Sequence, residues 1–260
     1  MTLQVIVATM NQTDYSLLDR MNIQSDAIVC NQCDKMGCQE FEYKGHHIKW
    51  LSFAERGVGL NRNNGLMRAT ADIVLFADDD VIYHDGYVER IMQYYESNPC
   101  ADVVLFNFAE QRNDGTVRYR VRKDKRVYKK GITSFGAICI SAKRDKLHFQ
   151  NIAFHLQFGG GAQYSCGEDT LFLQECCKKK LRIYTTQKIL GFFSRHESSW
   201  FRGYTDKFFY DKGVLYLLIN RRLANVFALY HCLKHKALYR EYGWKRAFSQ
   251  MRKGISDFRN

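Results

Sequence analysis

Short apolar runs alternate with stretches of helical spacing along the first part of the chain. Leu3–Ala8, Ala27–Cys30, Ile48–Phe53, Ile73–Ala77 and Val103–Phe108 have the length and composition of buried strands. Between them, helical spacing predicts helices from Thr13 or Asp14 to Met21, over Asn61–Thr70 and over Gly86–Glu96, the last ending before Pro99. Strands alternating with helices predict an α/β fold with a central, mostly parallel sheet and helices on both faces. Ligands of such sheets sit beyond the carboxyl ends of the strands.

After Phe108 the pattern changes. Asn113-Asp114-Gly115 is a hairpin signal. The strand expected after it alternates Val117, Tyr119 and Val121 with Arg118, Arg120 and Arg122, so a period of two puts three arginines on one face. That face reads first as a solvated strand edge protected by charge, and second as an anion site. Ser134–Ser141 is a further expected strand, and Gly159-Gly160-Gly161 a loop. Glu168–Lys180 reads as a helix whose acidic start and lysine end both suit its dipole. Short strands over Arg182–Thr186 and Ile189–Ser194 lead to Arg195-His196-Glu197-Ser198-Ser199-Trp200.

Beyond residue 200 aromatic, aliphatic and basic residues mix at helical spacing. Residues 1–200 carry 26 Lys/Arg against 23 Asp/Glu, and residues 201–260 carry 13 against 4, so most of the net charge of +12 belongs to the tail. The division expected is therefore an α/β unit over 1–200 and a basic, aromatic helical extension over 201–260. Such a tail fits packing on the first unit, contact with an anionic membrane surface, or both. With 46% hydrophobic residues and one proline, the chain has enough apolar material for a sizeable core and lacks the composition of a disordered protein. Nine cysteines without a recognisable secretory leader point to a reducing, cytoplasmic setting, at the membrane's cytoplasmic face if the tail binds there. Cys30, Cys33 and Cys38 lack the compact four-ligand spacing of a zinc knuckle, and buried or incidental thiols are the better reading.

The candidate chemistry lies at Asp78-Asp79-Asp80, which close the run Ile73–Ala77. Aspartates favour turns, and a strand-to-loop turn is the plain reading. Three carboxylates at a buried strand's end, however, call for a cation. A hard divalent ion, Mg²⁺ or Mn²⁺, takes such oxygens and leaves positions for substrate phosphates.

Gly59-Leu60-Asn61-Arg62-Asn63-Asn64-Gly65, a helix, a strand, Asp78-Asp79-Asp80, then Gly167-Glu168-Asp169-Thr170 opening a later helix, and His196 after further strands, resembles family 2 glycosyltransferases of GT-A fold over about residues 3–200. The resemblance implies a Rossmann-like nucleotide-diphospho-sugar transferase fold. It implies that Asp78 and Asp80 are an Asp-x-Asp pair, with Asp80 on the metal, Asp78 near the ribose or metal, and Asp79 in the variable middle position. It further implies that Asp169 is the general base, that Glu168 orients acceptor or base, and that Arg62 and Asn63 reach the nucleotide. Thr9 would border the nucleotide pocket, and His196 would contact metal or diphosphate. Two departures stand out: Cys30-Asn31-Gln32-Cys33-Asp34 replaces the family's acidic Gly-Ser motif, and the first strand lacks the usual proline before Thr9. Asn31 and Gln32 would then meet a uracil through their amides. Trp200 is a candidate sugar-stacking residue, although an aromatic beside Phe201 serves equally as core.

The expected function is an inverting, metal-dependent transfer of a hexosyl or N-acetylhexosaminyl unit from a nucleotide-diphospho-sugar, a UDP-sugar first, to a saccharide hydroxyl. The acceptor would be free or lipid-linked, in bacterial surface-polysaccharide synthesis. Two alternatives stand beside it. One is a non-catalytic nucleic-acid-binding protein using the Arg118-Arg120-Arg122 face and the tail. The other is a nucleotidyltransferase, which also needs a metal on aspartates. The first would leave the aspartates and Glu168-Asp169 without a task, so no nucleic acid is expected as partner.

Overall fold

The computed structural model describes residues 1–112, 114–128, 131–194 and 203–259. Each apolar run forms a strand: β1 (Leu3–Met10), β2 (Asp26–Gln32), β4 (His46–Phe53), β5 (Ile73–Asp78) and β7 (Val103–Gln111). The side chains of β1, β2, β5 and β7 are buried almost throughout, as expected where both faces of a sheet are covered, while β4 nearer the edge is half buried. β4, β2, β1 and β5 lie side by side as a parallel block. β3 (Gly37–Tyr43) closes one edge antiparallel to β4. Beyond β5 the sheet continues through β10 (Ile140–Lys143) and β7 to β11 (Ile183–Ser194) and β6 (Val81–Tyr83), with β10 antiparallel to both neighbours and β11 parallel to β7.

Several expectations are corrected. The helix expected to start at Thr13 or Asp14 is only α1 (Leu17–Arg20), because Asp14 Oδ1 accepts the Ser16 N–H and closes a turn first. α2 runs over Val58–Arg68, starting earlier than expected, and α3 over Tyr87–Ser97. The strand expected over Ser134–Ser141 is a short 3-10 turn, Ala137–Cys139, followed by β10 and then α4 (Arg144–Phe149). The two short strands after residue 182 are one, β11, with irregular register between Thr185 and Phe192.

The three-arginine face does not form. β8 ends after Val117–Arg118. The Asn107 side chain then takes over, accepting the N–H groups of Arg120 and Val121 and donating to the Val121 carbonyl. Arg120 is spent on the Ser134 carbonyl and Glu110. β9 (Lys125–Val127) then pairs with β11.

α5 (Glu168–Lys178) begins after Gly167, and α6 (Asp206–Ile219), α7 (Ala224–Lys234) and α8 (Trp244–Asp257) form the tail. Phe209, Cys232, Tyr239, Ala247 and Met251 give the tail helices a small core. α6 also packs onto the sheet-bearing part, where Val214 and Leu215 join Phe158 and Tyr164 in a second apolar cluster. The Asp211 carboxylate accepts the Ser165 N–H, and Gln174 of α5 donates to the Ile219 carbonyl. No described helix is long and apolar enough to cross a membrane.

Candidate active site

The parallel register sets the site. Ala8 lies opposite Asp78, and Thr9 opposite Asn31, so the carboxyl ends of β1, β2 and β5 finish together. The Thr9 hydroxyl donates to Asp79 Oδ2 at 2.5 Å and accepts from Gln12 Nε2 at 2.9 Å. Asp78-Asp79-Asp80 therefore stand at the rim where such sheets bind ligands.

The second half of the site is brought in by aromatic packing. Phe76 of β5, Phe154 of the loop after α4 and Phe172 of α5 meet face and edge, with centroids 4.3–5.6 Å apart. This cluster fixes the first turn of α5 against the end of β5. Arg62 of α2 lies above it, its guanidinium 5.4 Å from the Phe154 ring centre. The guanidinium is buried and forks: Nη2 donates to Asp78 Oδ1, and Nη1 to Glu168 Oε1 at 3.0 Å. Burial opposes its charge, but the two carboxylates more than offset this and hold its proton more tightly than usual. Arg62 thus ties the aspartate turn to Glu168-Asp169.

Close approach at the α5 start depends on glycine. Gly167 has φ +114°, and a Cβ there would fall 2.6 Å from Leu215 of α6. Gly159 has φ +102°, and its Cβ would fall 2.8 Å from the Glu168 carboxyl carbon. Glu168 is therefore wrapped by backbone, and its second oxygen accepts the Gly167 N–H.

Asp169 follows Glu168 in the first turn of α5. Its Oδ1 accepts the Thr170 N–H at 2.6 Å. Burial and then the neighbouring Glu168 charge push its carboxyl up to about 7, against the smaller opposing pull of Thr170 N–H, Arg62 and Lys212. Partial desolvation and then the charges of Asp78 and Asp79 raise the Asp80 carboxyl above its ordinary range, although its side chain stays open to solvent. Among the described residues no cationic side chain pairs with Asp80. A carboxylate so placed suits a hard cation: one or two carboxylates plus phosphate oxygens and water make the usual Mg²⁺ shell. Asp78 Oδ1 is occupied by Arg62, so an ion held here would take its other oxygen. No three His, Cys, Asp or Glu groups converge on one point among the described residues.

Other expected site residues are placed differently. Asn31 spends its whole amide on the Gln12 backbone, accepting its N–H and donating to its carbonyl. Gln32 gives Oε1 to the Gly57 N–H and so fixes the start of α2. Asn63 clamps Phe154 at both its N–H and its carbonyl. These three amides, expected to reach the nucleotide, hold loops at the rim of the site, because each faces a backbone group that burial would otherwise leave unsatisfied. Of the cysteines weighed for zinc, Cys30 is buried and its thiol is pushed up to about 12 by that burial. His196 and Trp200 lie outside the described residues.

Three contributors were not legible beforehand. Phe154 supports Arg62, Gln12 orders Thr9 and Asn31, and Lys212 of α6 favours the ionised form of Asp169. Phe154 and Lys212 act through partners distant in sequence, and nothing in the pattern around Gln12 marks its bond to Thr9 three residues before it.

Comparison with known proteins agrees with this architecture. Among solved structures, S. aureus TarS 1-349 in complex with UDP-GlcNAc aligns with a TM-score of 0.63 at 14% identity, covering 100% of this chain and 92% of that chain. The same protein in complex with UDP aligns at 0.60 and 14%, covering 100% and 91%. At that identity the likeness is one of fold, and it makes the architecture GT-A. No curated protein matches. The family model for glycosyl transferase family 2 matches residues 13–162, from the turn before α1 to the loop before α5. With that match spanning more than half the chain, the chain belongs to glycosyl transferase family 2.

Proposed function

We propose that the chain transfers a hexosyl or N-acetylhexosaminyl unit from a nucleoside-diphospho-sugar, a UDP-sugar, to a hydroxyl of a saccharide acceptor, with inversion. The observation that carries this reading is Arg62, which joins Asp78 to Glu168 and so sets the base Asp169 beside the aspartate turn. The TarS complexes with UDP-GlcNAc and UDP support the donor class. Family membership favours this reading over the nucleotidyltransferase and nucleic-acid alternatives.

Asp169 takes the proton of the attacking hydroxyl, which its raised affinity suits near neutral pH. The hydroxyl oxygen bonds to the anomeric carbon as the bond to the diphosphate oxygen breaks, and the electron pair leaves with the nucleoside diphosphate. A single displacement inverts the anomeric centre. Glu168, fixed by Arg62 and the Gly167 N–H, orients the acceptor beside the base. Asp80 and Asp78, with His196, would hold a Mn²⁺ or Mg²⁺ ion, which when bound would neutralise charge on the departing diphosphate. The setting proposed is bacterial surface-polysaccharide synthesis (capsule, exopolysaccharide or lipopolysaccharide) at the cytoplasmic face of the membrane, on a lipid-linked acceptor.

Calorimetric titration with UDP, GDP and dTDP, with and without Mn²⁺, tests the donor half. Metal-dependent binding of UDP, abolished by Asp80→Ala, is expected. Binding of none of them with metal present, or binding indifferent to Asp80→Ala, would overturn it.

A further inference from the structure

α7 is apolar on two opposite sides. Ala224, Ala228 and Cys232 recur every fourth residue and are buried against the tail's core. Val226, Leu229, Tyr230 and Leu233 fall at spacings of three and four residues and form one stripe on the other side. That stripe faces solvent: Val226 is 58% exposed, Tyr230 62% and Leu233 52%. Leu223 before the helix and Leu238 after it are exposed as well. A helix apolar all round belongs in a core or a membrane, and a contiguous exposed apolar patch marks an interaction surface.

The charge around the stripe is of one sign. No Asp or Glu occurs between Asp211 and Glu241, while Arg221, Arg222, Lys234, Lys236 and Arg240 are all exposed there. Basic residues thus stand at both ends of the apolar stripe, and the Lys234 ammonium lies 5.7 Å from the Tyr230 ring centre. A second copy of the chain is a poor occupant, because a two-fold contact on this face would set like charges against each other. A nucleic acid would meet the cations but leave the central stripe unused.

We infer that residues 221–240 form a docking surface for an anionic phospholipid bilayer, with α7 lying in the headgroup region and the flanking cations on acidic headgroups. This deepens the membrane-side setting proposed above, and rests on it for the location of the acceptor. α7 follows α6, whose Leu215 packs on Gly167 at the head of α5, so the docked face and the base belong to one packed unit.

The test is sedimentation of the full chain with phosphatidylcholine vesicles, with and without phosphatidylglycerol, in parallel with retention on heparin. The wild type is expected to sediment with the phosphatidylglycerol vesicles. V226N/L229N/L233N, which keeps every charge, should lose about tenfold or more in partition while its heparin retention is unchanged. R221Q/R222Q should lose about tenfold at physiological salt. Unchanged vesicle binding by the triple variant would overturn the inference in favour of a general polyanion site. So would absence of wild-type binding, or a triple variant that only dissociates a dimer. UDP titration of the same variants separates the two proposals, since a docking defect leaves donor binding intact.

Discussion

Arg62 and Glu168 meet through one hydrogen bond of 3.0 Å, and it joins two parts of the site that lie far apart in the chain. The other arm of the same guanidinium holds Asp78. A lysine ammonium has several donors but one nitrogen at a shorter reach, and cannot set two separate nitrogens against the two carboxylates. Arg62→Lys should therefore leave one carboxylate uncompensated and cost about 2–4 kcal/mol of stability. Urea denaturation measures this, and a loss near zero would mean that the pair is not what joins the two halves.

Asp169→Asn should retain the bond from the Thr170 N–H, since the amide oxygen still accepts. It should bind UDP within about twofold of the wild type, because only the base is removed. Transfer should fall by about 10²–10⁴. Near-normal turnover in a steady-state assay would show that another group takes the proton.

The raised carboxyl of Asp169 has opposite consequences for rate and for stability. The base works only when ionised, so turnover should rise with pH and level off above about 7. Asp169 holds its proton more tightly folded than unfolded, at about 7 against 3.8. Its contribution to stability is therefore full below about pH 4 and is lost as pH rises to about 7. Asp169→Asn removes that loss and should be more stable than the wild type above pH 7, with no gain near pH 4. Thermal melts across this range decide it.

Gly167→Ala meets two obstacles, a left-handed φ and Leu215 at 2.6 Å. The expected cost is about 2–4 kcal/mol. Adding Leu215→Ala should recover the steric part but not the backbone part, so the double variant should lose less than the two single losses added. Full additivity would indicate that the helix shifts rather than clashes.

The apolar runs announced the strands because burial on both faces leaves no room for polar residues, and Asp78-Asp79-Asp80 were visible because they end such a run. Glu168 and Asp169 were visible as an acidic helix start. β3 was missed because it is an exposed edge with little apolar content, and β6 because three residues carry no period. The antiparallel direction of β10 leaves no trace in composition. The amides of Asn31, Gln32 and Asn63 show the other limit. A sequence gives their donors and acceptors, but which backbone groups claim them depends on the loops folded opposite.

α6 bonds to Ser165 through Asp211, fills the space beside Gly167 with Leu215, and receives Gln174 at its far end. Both ends of the segment that carries the base are thus fastened to the tail. A tail exchanged between relatives would have to bring its own match for Gly167 and Ser165. Point changes on the outer face of α7 leave that seam alone, but replacement of the whole tail does not, so the two parts of the chain can be exchanged only as a matched pair.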